Sequence, residues 1–329
     1  MKHLLSIEDL SREDIERLLA RAESFAEVSG RTIKKVPALR GRTVVNLFYE
    51  ASTRTSSSFE LAAKRLSADV INVKSSGSSV EKGESLKDTV QTLSAYDPSA
   101  IVIRSPHAGA AQMVSRWTPA SVVNAGDGKH EHPTQALLDL YTLKRRIGSL
   151  EGTNVWIVGD VLHSRVARSN VLGFTKMGCK VTVCGPPTLI PRGFEHLGCE
   201  VRYSLEGIEQ ADVIYALRMQ RERMEGAFVP SLREYAACFQ IDGRRLRPHQ
   251  LLMHPGPVNR GVELSADAID SPQALITQQV ESGVVVRMAV LFEVLSGSGD
   301  TSAAATAPHP IRERDPDPDP AGAPMGGAA

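Results

Sequence analysis

Along most of this chain, short β-rich runs alternate with stretches of helical periodicity, a rhythm that limits the fold to parallel sheets with crossover helices. The first series reads TVVNLFY, a helix from Thr53 to Leu66, DVINV, a helix from Leu86 to Tyr96, AIVIR, a helix from Ala108 to Arg116, and SVVNA. A long amphipathic stretch from Pro133 to Arg146 carries Leu137, Leu138, Leu140 and Tyr141, and Gly148 is placed to end it. The alternation then restarts with TNVWIVG, a helix from Ser164 to Met177, KVTVCG, EVRYS, DVIYAL and LLMHPG. The expected fold class is α/β: two similar domains, each a parallel sheet flanked by helices, joined by bridging helices.

Periodic segments bracket the two halves. Ser6 to Glu27 carries Ile7, Leu10, Ile15, Leu18, Leu19 and Phe25 at mostly helical spacing, with Ser11 and Asp14 spaced as a helix cap. Ala274 to Leu295 carries Val280, Val284, Val285, Met288, Leu291 and Leu295 in a helical stripe. Residues 298–329 are largely Ala, Pro, Gly and alternating Asp-Pro, which bury too little apolar surface to offset chain entropy, so a disordered tail without a catalytic part is expected.

At 329 residues the chain exceeds what one hydrophobic core usually serves, which supports two domains. Lys plus Arg equals Asp plus Glu at 38 each, so no net positive field gathers nucleic acid or an anionic membrane. There is no run of about 18 apolar residues, and the start turns acidic at once, so a cytoplasmic protein with no membrane partner is expected. Cys179, Cys184, Cys199 and Cys238 form neither a CxxC pair nor a dense framework, which favours reduced, buried thiols.

Six hydroxyls and an arginine crowd the first strand-to-helix junction: Ser52, Thr53, Arg54, Thr55, Ser56, Ser57 and Ser58. A helix N-terminus offers unpaired amides and partial positive charge, and Arg54 adds a planar fork suited to phosphate. Capping alone, by a Ser57/Glu60 box, is the plainer alternative but needs far fewer of these groups. Arg104 ends AIVIR, at the sheet edge where parallel sheets usually carry ligands.

The run from Asn124 to Gln135 joins a strand to the bridging helix and is rich in donors. His130 and His132 form an HxH pair, yet Pro133 restricts the backbone and no third soft ligand lies nearby, so metal binding is the weaker reading beside helix capping or a ligand contact. The stretch from Lys74 to Glu84 is too polar and glycine-rich for scaffold and reads as a mobile surface loop. GDVLHSR lacks the close glycine trio of a dinucleotide fingerprint, which speaks against a nucleotide cofactor. Arg218 and Gln220 follow DVIYAL, while Arg221 and Arg223 read as solvated helix charge; HPGPVNRG reads as a rigid turn.

Taken together, FYEASTRTSSSFE, HPTQALLD and HPGPVNRG resemble the motifs of the aspartate/ornithine carbamoyltransferase family, in order and across the chain to about Leu295. The resemblance implies that Ser52, Thr53, Arg54 and Thr55 hold the phosphate of carbamoyl phosphate, with Arg104 contacting the same ligand. It implies that His132 bonds the carbonyl oxygen and that Gln135 holds the amino group. Arg165, Arg218 and Gln220 would grip the carboxylates of L-aspartate, and the carbonyls of Gly256 and Pro257 would receive its amine.

Similar loops in this family close over a neighbouring subunit's ligand, which assigns Ser78 to carbamoyl phosphate and Lys82 to catalysis and aspartate beside Arg54, Thr55 and His132. The resemblance also implies a homotrimer with shared sites, and it implies no cofactor or metal. Residues 1–133 would bind carbamoyl phosphate and 134–280 aspartate, with 281–297 a helix packing back on the first domain. The implied product is N-carbamoyl-L-aspartate, early in pyrimidine biosynthesis. An ornithine or other amino-acid carbamoyltransferase is the rival enzyme, disfavoured by HPGP and paired Arg165 and Arg218; an inactive scaffold homologue should have lost Arg54, Lys82 or His132. Association with regulatory chains or other pathway enzymes stays open.

Overall fold

A computed structural model describes residues 1–74, 83–224 and 226–296. The proposed loop residues Ser78 and Lys82, and the tail from 298 on, lie outside the described residues.

The opening helix α1 (Arg12–Ser29) starts where its polar signal sits: Ser11 accepts from the Asp14 amide and the Asp14 carboxylate accepts from the Ser11 amide, a reciprocal cap. Its apolar stripe, Ile15, Leu18, Leu19, Ala22 and Phe25, is buried.

Alternation then yields β1 (Thr43–Phe48), α2 (Thr53–Arg65), β2 (Asp69–Lys74), α3 (Leu86–Ser94), β3 (Ala100–Ser105), α4 (Ala110–Trp117) and β4 (Ser121–Asp127). These strands form one parallel sheet in the order β2-β1-β3-β4, with Val44 opposite both Val70 and Ala100. β4 is buried along its whole length, including the polar Ser121, Asn124 and Asp127, as expected of a strand covered on both faces.

After α5 (Pro133–Ile147) a second parallel sheet is built from β5 (Asn154–Val158), α6 (Arg165–Lys176), β6 (Lys180–Cys184), β7 (Glu200–Arg202), β8 (Val213–Ala216), α7 (Leu232–Phe239), β9 (Leu251–Met253) and α8 (Ala266–Ile269), in the order β7-β6-β5-β8-β9. α9 (Ile276–Ser296) closes the described chain. Both sheets belong to one compact unit. α5 packs on β4 and on α6, and α9 packs on α1, α2 and α5, so these two helices run between the layers of both halves. Gly148, with φ of 84°, ends α5 in a conformation side chains rarely adopt.

Strand order matters for function. In the first sheet the chain leaves β1 toward β2 on one side and returns to β3 on the other; in the second it leaves β5 toward β6 and returns to β8. Each reversal opens a crevice at the carboxyl ends of two adjacent strands, the usual ligand position in open parallel sheets.

Three expectations need correction. Cys179, Cys184 and Cys199 are buried, and burial pushes their thiols up, but Cys238 on α7 is exposed. Val280 shares the helical spacing of its stripe yet is 53% exposed, because it borders a cleft rather than core. α2 begins at Thr53 with Ser52 as its cap, so the Ser57/Glu60 box does not start this helix.

Candidate active site

The crevice at β1 and β3 is floored by the start of α2. Tyr49 N–H donates to the Arg104 carbonyl (2.9 Å) and closes the β1/β3 pair; the chain then turns into α2, where the Ser52 hydroxyl accepts from the Thr55 amide (3.4 Å). The first turn of α2 carries no acid and instead carries Arg54, a cation where the helix field is already positive. Such a placement costs free energy in isolation and is favourable only with an anion at hand. Among the described residues no carboxylate forms an ion pair with Arg54, and burial followed by nearby Arg218 lowers its pKa.

Arg104 reaches the same place from β3, held by the Ala125 carbonyl (3.3 Å) and Glu50 (3.3 Å). Arg287 on α9 points in from behind, donating to the Ser58 hydroxyl (2.8 Å) and lying 5.1 Å over the Phe59 ring. Burial, then Arg104, push its pKa down to about 9, so it remains charged at neutral pH.

α5 contributes His132 and Gln135. His132 occupies the cap position without a side-chain capping bond, and its Nδ1 is buried with no partner among the described residues. Burial, then Arg104 and Arg287, hold its pKa well below 6.5, which keeps the imidazole neutral. His130 is tied instead to Asp127 (Nδ1 to Oδ2, 3.1 Å), so the two histidines of the HxH run do different things.

The crevice at β5 and β8 faces the first. Asp160 accepts from His163 Nδ1 (2.8 Å) and from the Gln220 amide (3.1 Å), which joins the loop after β5 to the loop after β8. Arg165, at the start of α6, is buried; its Nη2 bonds Glu50, and its Nη1 has no partner among the described residues. Arg218 pairs with Glu222.

Two glycines let guanidinium groups approach the backbone. At Gly126 (φ 117°) a Cβ would come within 2.8 Å of Arg165 Nη1 and 3.3 Å of Arg104 Nη1, and at Gly256 (φ 61°) it would collide with the Arg54 guanidinium. The Gly256 turn is held by its own amide on His254 Nδ1 (2.8 Å) and by the His254 amide on Gln279 Oε1 (3.0 Å).

The crevices merge into one cleft of about 490 Å³, and it brings together Ser52, Thr53, Arg54, Thr55, Arg104, His132, Gln135, Arg165, Arg218, Gln220, Gly256 and Pro257. Six arginines and two glutamates line it, a surplus of cation suited to ligands with several negative charges. A larger groove of about 820 Å³ near Lys34, Arg65 and Arg145 is lined by none of the candidate site residues named from the sequence.

Sequence reasoning passed over three of the charges. Glu50 takes Arg104, Arg165 and Arg223 at once, joining the first crevice to the second. Arg223 is not the solvated charge expected from its run, because it also donates to the carbonyls of His163 (3.2 Å) and Gly128 (3.4 Å). Arg287 had one visible signal, a lone cation within the apolar stripe of the last helix.

Comparison with known proteins agrees with this geometry. Residues 2–145 match the family model for the aspartate/ornithine carbamoyltransferase carbamoyl-P binding domain, and residues 151–294 match that for the Asp/Orn binding domain. The aspartate carbamoyltransferase catalytic subunit of Acidothermus cellulolyticus is 54% identical over 301 residues, 90% of this chain and 93% of that protein. The same subunit from Salinispora arenicola is 55% identical over 305 residues, covering 91% and 99%. Among solved structures, Trypanosoma cruzi aspartate transcarbamoylase in complex with carbamoyl phosphate superposes with a TM-score of 0.82 at 33% identity, covering 89% of this chain and 96% of that one. The M. jannaschii catalytic subunit gives 0.81 at 34% identity, covering 91% and 100%. With both of its sheets spanned by the two family models and its length shared with these relatives, the chain belongs to the aspartate/ornithine carbamoyltransferase family.

Proposed function

We propose that the chain transfers the carbamoyl group of carbamoyl phosphate to the amino group of L-aspartate, giving N-carbamoyl-L-aspartate and phosphate. One observation carries this reading: a single cleft lined by a helix N-terminus with Arg54, by the forks of Arg165 and Arg218, and by six arginines to two glutamates in all. Ser52, Thr53, Arg54, Thr55 and Arg104 hold the phosphate, while neutral His132 donates to the carbonyl oxygen. Gln135 takes the amino group.

Arg165 and Arg218, with Gln220, take the two carboxylates of aspartate; bidentate forks supply both charge and geometry. The Gly256–Pro257 carbonyls receive the amine, whose lone pair forms the new bond to the carbamoyl carbon. The tetrahedral intermediate then expels phosphate as the carbon–oxygen bond breaks, and the departing phosphate accepts the amine proton. Catalysis comes from orientation and from charge placed in advance.

Residues 1–133 serve the carbamoyl phosphate end and 134–280 the aspartate end, with the last helix returning to the first half. Ser78 and Lys82 reach the site of a neighbouring subunit in a cytoplasmic homotrimer, at an early step of pyrimidine biosynthesis. The name "catalytic subunit" borne by the relatives supports assembly with further chains.

Arg54→Ala tests the assignment. Removing a cation aimed at developing charge should lower kcat on the order of 100- to 1,000-fold while circular dichroism and melting stay near wild type. Near-normal turnover in that variant would overturn the role given to Arg54.

A further inference from the structure

Asp139 sits fully buried on α5, one turn beyond Gln135, and four side chains from four elements converge on it. Gln135 Nε2 (3.0 Å) and Gln279 Nε2 of α9 (2.7 Å) donate to Oδ1; Asn170 Nδ2 of α6 (2.9 Å) and the Tyr215 hydroxyl of β8 (2.7 Å) donate to Oδ2. Nothing in the chemistry proposed above uses this carboxylate.

An ionised carboxylate only accepts hydrogen bonds, so the end of the Gln135 amide that faces Asp139 has to be its nitrogen. That leaves Oε1 as the acceptor Gln135 can offer to the cleft it lines. A carbamoyl group carries two N–H donors where an otherwise similar acyl group carries a methyl. We infer that Asp139 is a positioning residue: by holding the Gln135 nitrogen it fixes the amide oxygen toward the ligand's amino group, and so makes the site selective for carbamoyl over acetyl phosphate.

The same oxygen also steadies the far side of the cleft. Gln279, anchored on Oδ1 by its nitrogen, accepts the His254 amide through its own oxygen, which holds the Gly256 turn against Arg54. Asp139 therefore sets the orientation of two glutamine amides, one at each substrate.

This inference rests on the proposed carbamoyl transfer, and its test separates the two. Equilibrium binding of carbamoyl phosphate and of acetyl phosphate is measured on the full chain as wild type, Asp139→Ala and Tyr215→Phe. Asp139→Ala frees the Gln135 amide to turn, whereas Tyr215→Phe removes one donor from Oδ2 and leaves the Gln135 bond in place. The preference for carbamoyl phosphate should fall about tenfold in Asp139→Ala, the worth of one misdirected buried hydrogen bond, and stay within about twofold in Tyr215→Phe.

A purely structural carboxylate would weaken both ligands alike, so an unchanged preference in folded Asp139→Ala overturns the inference. Should Asp139→Ala not fold, Asp139→Ser, whose shorter side chain does not reach the Gln135 nitrogen, is read instead: loss of the preference supports the inference, and retention overturns it. Failure of the wild type to bind carbamoyl phosphate overturns the function itself, and the inference with it.

Discussion

Replacing Glu50 with alanine removes a carboxylate that holds three arginines from three parts of the chain. It accepts from Arg104 Nη2 (3.3 Å), Arg223 Nη2 (2.5 Å) and Arg165 Nη2, with side-chain exposures of 12%, 18% and 4% for the arginines and 26% for Glu50 itself. Breaking a fully buried pair costs about 3–5 kcal/mol and a surface pair about 0–1 kcal/mol. A group one-quarter exposed belongs between them, at about 2–3 kcal/mol. Through Nη2, Glu50 holds Arg165 so that its unpartnered Nη1 stays available, and it offsets the mutual repulsion of the arginines around the cleft.

The loss should therefore fall on aspartate more than on carbamoyl phosphate. At saturating carbamoyl phosphate, kcat/KM for aspartate should drop about 30- to 150-fold, the kinetic equivalent of about 2–3 kcal/mol. Carbamoyl phosphate affinity should change by less than about threefold, because Arg104 keeps the Ala125 carbonyl as a second anchor. If Glu50 merely competed with substrate for Arg165, its removal would lower KM for aspartate. A folded Glu50→Ala enzyme with unchanged or improved kcat/KM would refute the reasoning.

Other consequences are as direct. Burial raises the Asp139 pKa to about 6 against the donors that oppose it, so the folded state holds a proton that the unfolded chain releases near pH 4. That contribution to stability is complete below about pH 4 and is lost as pH rises through about 6, up to about 3 kcal/mol; urea midpoints of wild type relative to Asp139→Ala should fall across that window. A flat difference from pH 4 to 7 would contradict it. Gly126→Ala should strain the backbone by about 1–3 kcal/mol and displace Arg104 and Arg165 together, so KM should rise for both substrates; an effect on one alone would count against the packing described.

The architecture was legible because its determinants are local. Strand runs, crossover stripes, the Ser11–Asp14 cap and Gly148 all act over a few residues, and each marks its element in the folded chain. The short helices α7 and α8 escaped notice; the four residues of α8 give periodicity little length to show itself. Within the site, residues clustered in sequence, as at Ser52–Thr55 or His132–Gln135, were visible as groups.

Glu50 was not, since its partners lie at positions 104, 165 and 223 and one acid beside a hydroxyl run looks ordinary. Arg223 sat in a charged run whose members are locally indistinguishable; only the fold gives it the His163 and Gly128 carbonyls. Asp139 likewise reads as one polar residue on an amphipathic helix. Its four donors arrive from α5, α6, β8 and α9, a convergence that requires both sheets to be in place.

Product analysis puts the central claim to its most direct test. Purified protein is incubated with carbon-labelled carbamoyl phosphate and, separately, L-aspartate, L-ornithine and a set of other amino acids, with labelled product and released phosphate both measured. The account predicts labelled N-carbamoyl-L-aspartate with one phosphate released per product, and no comparable transfer to ornithine. Labelled citrulline, or no transfer to any amino acid, would contradict it.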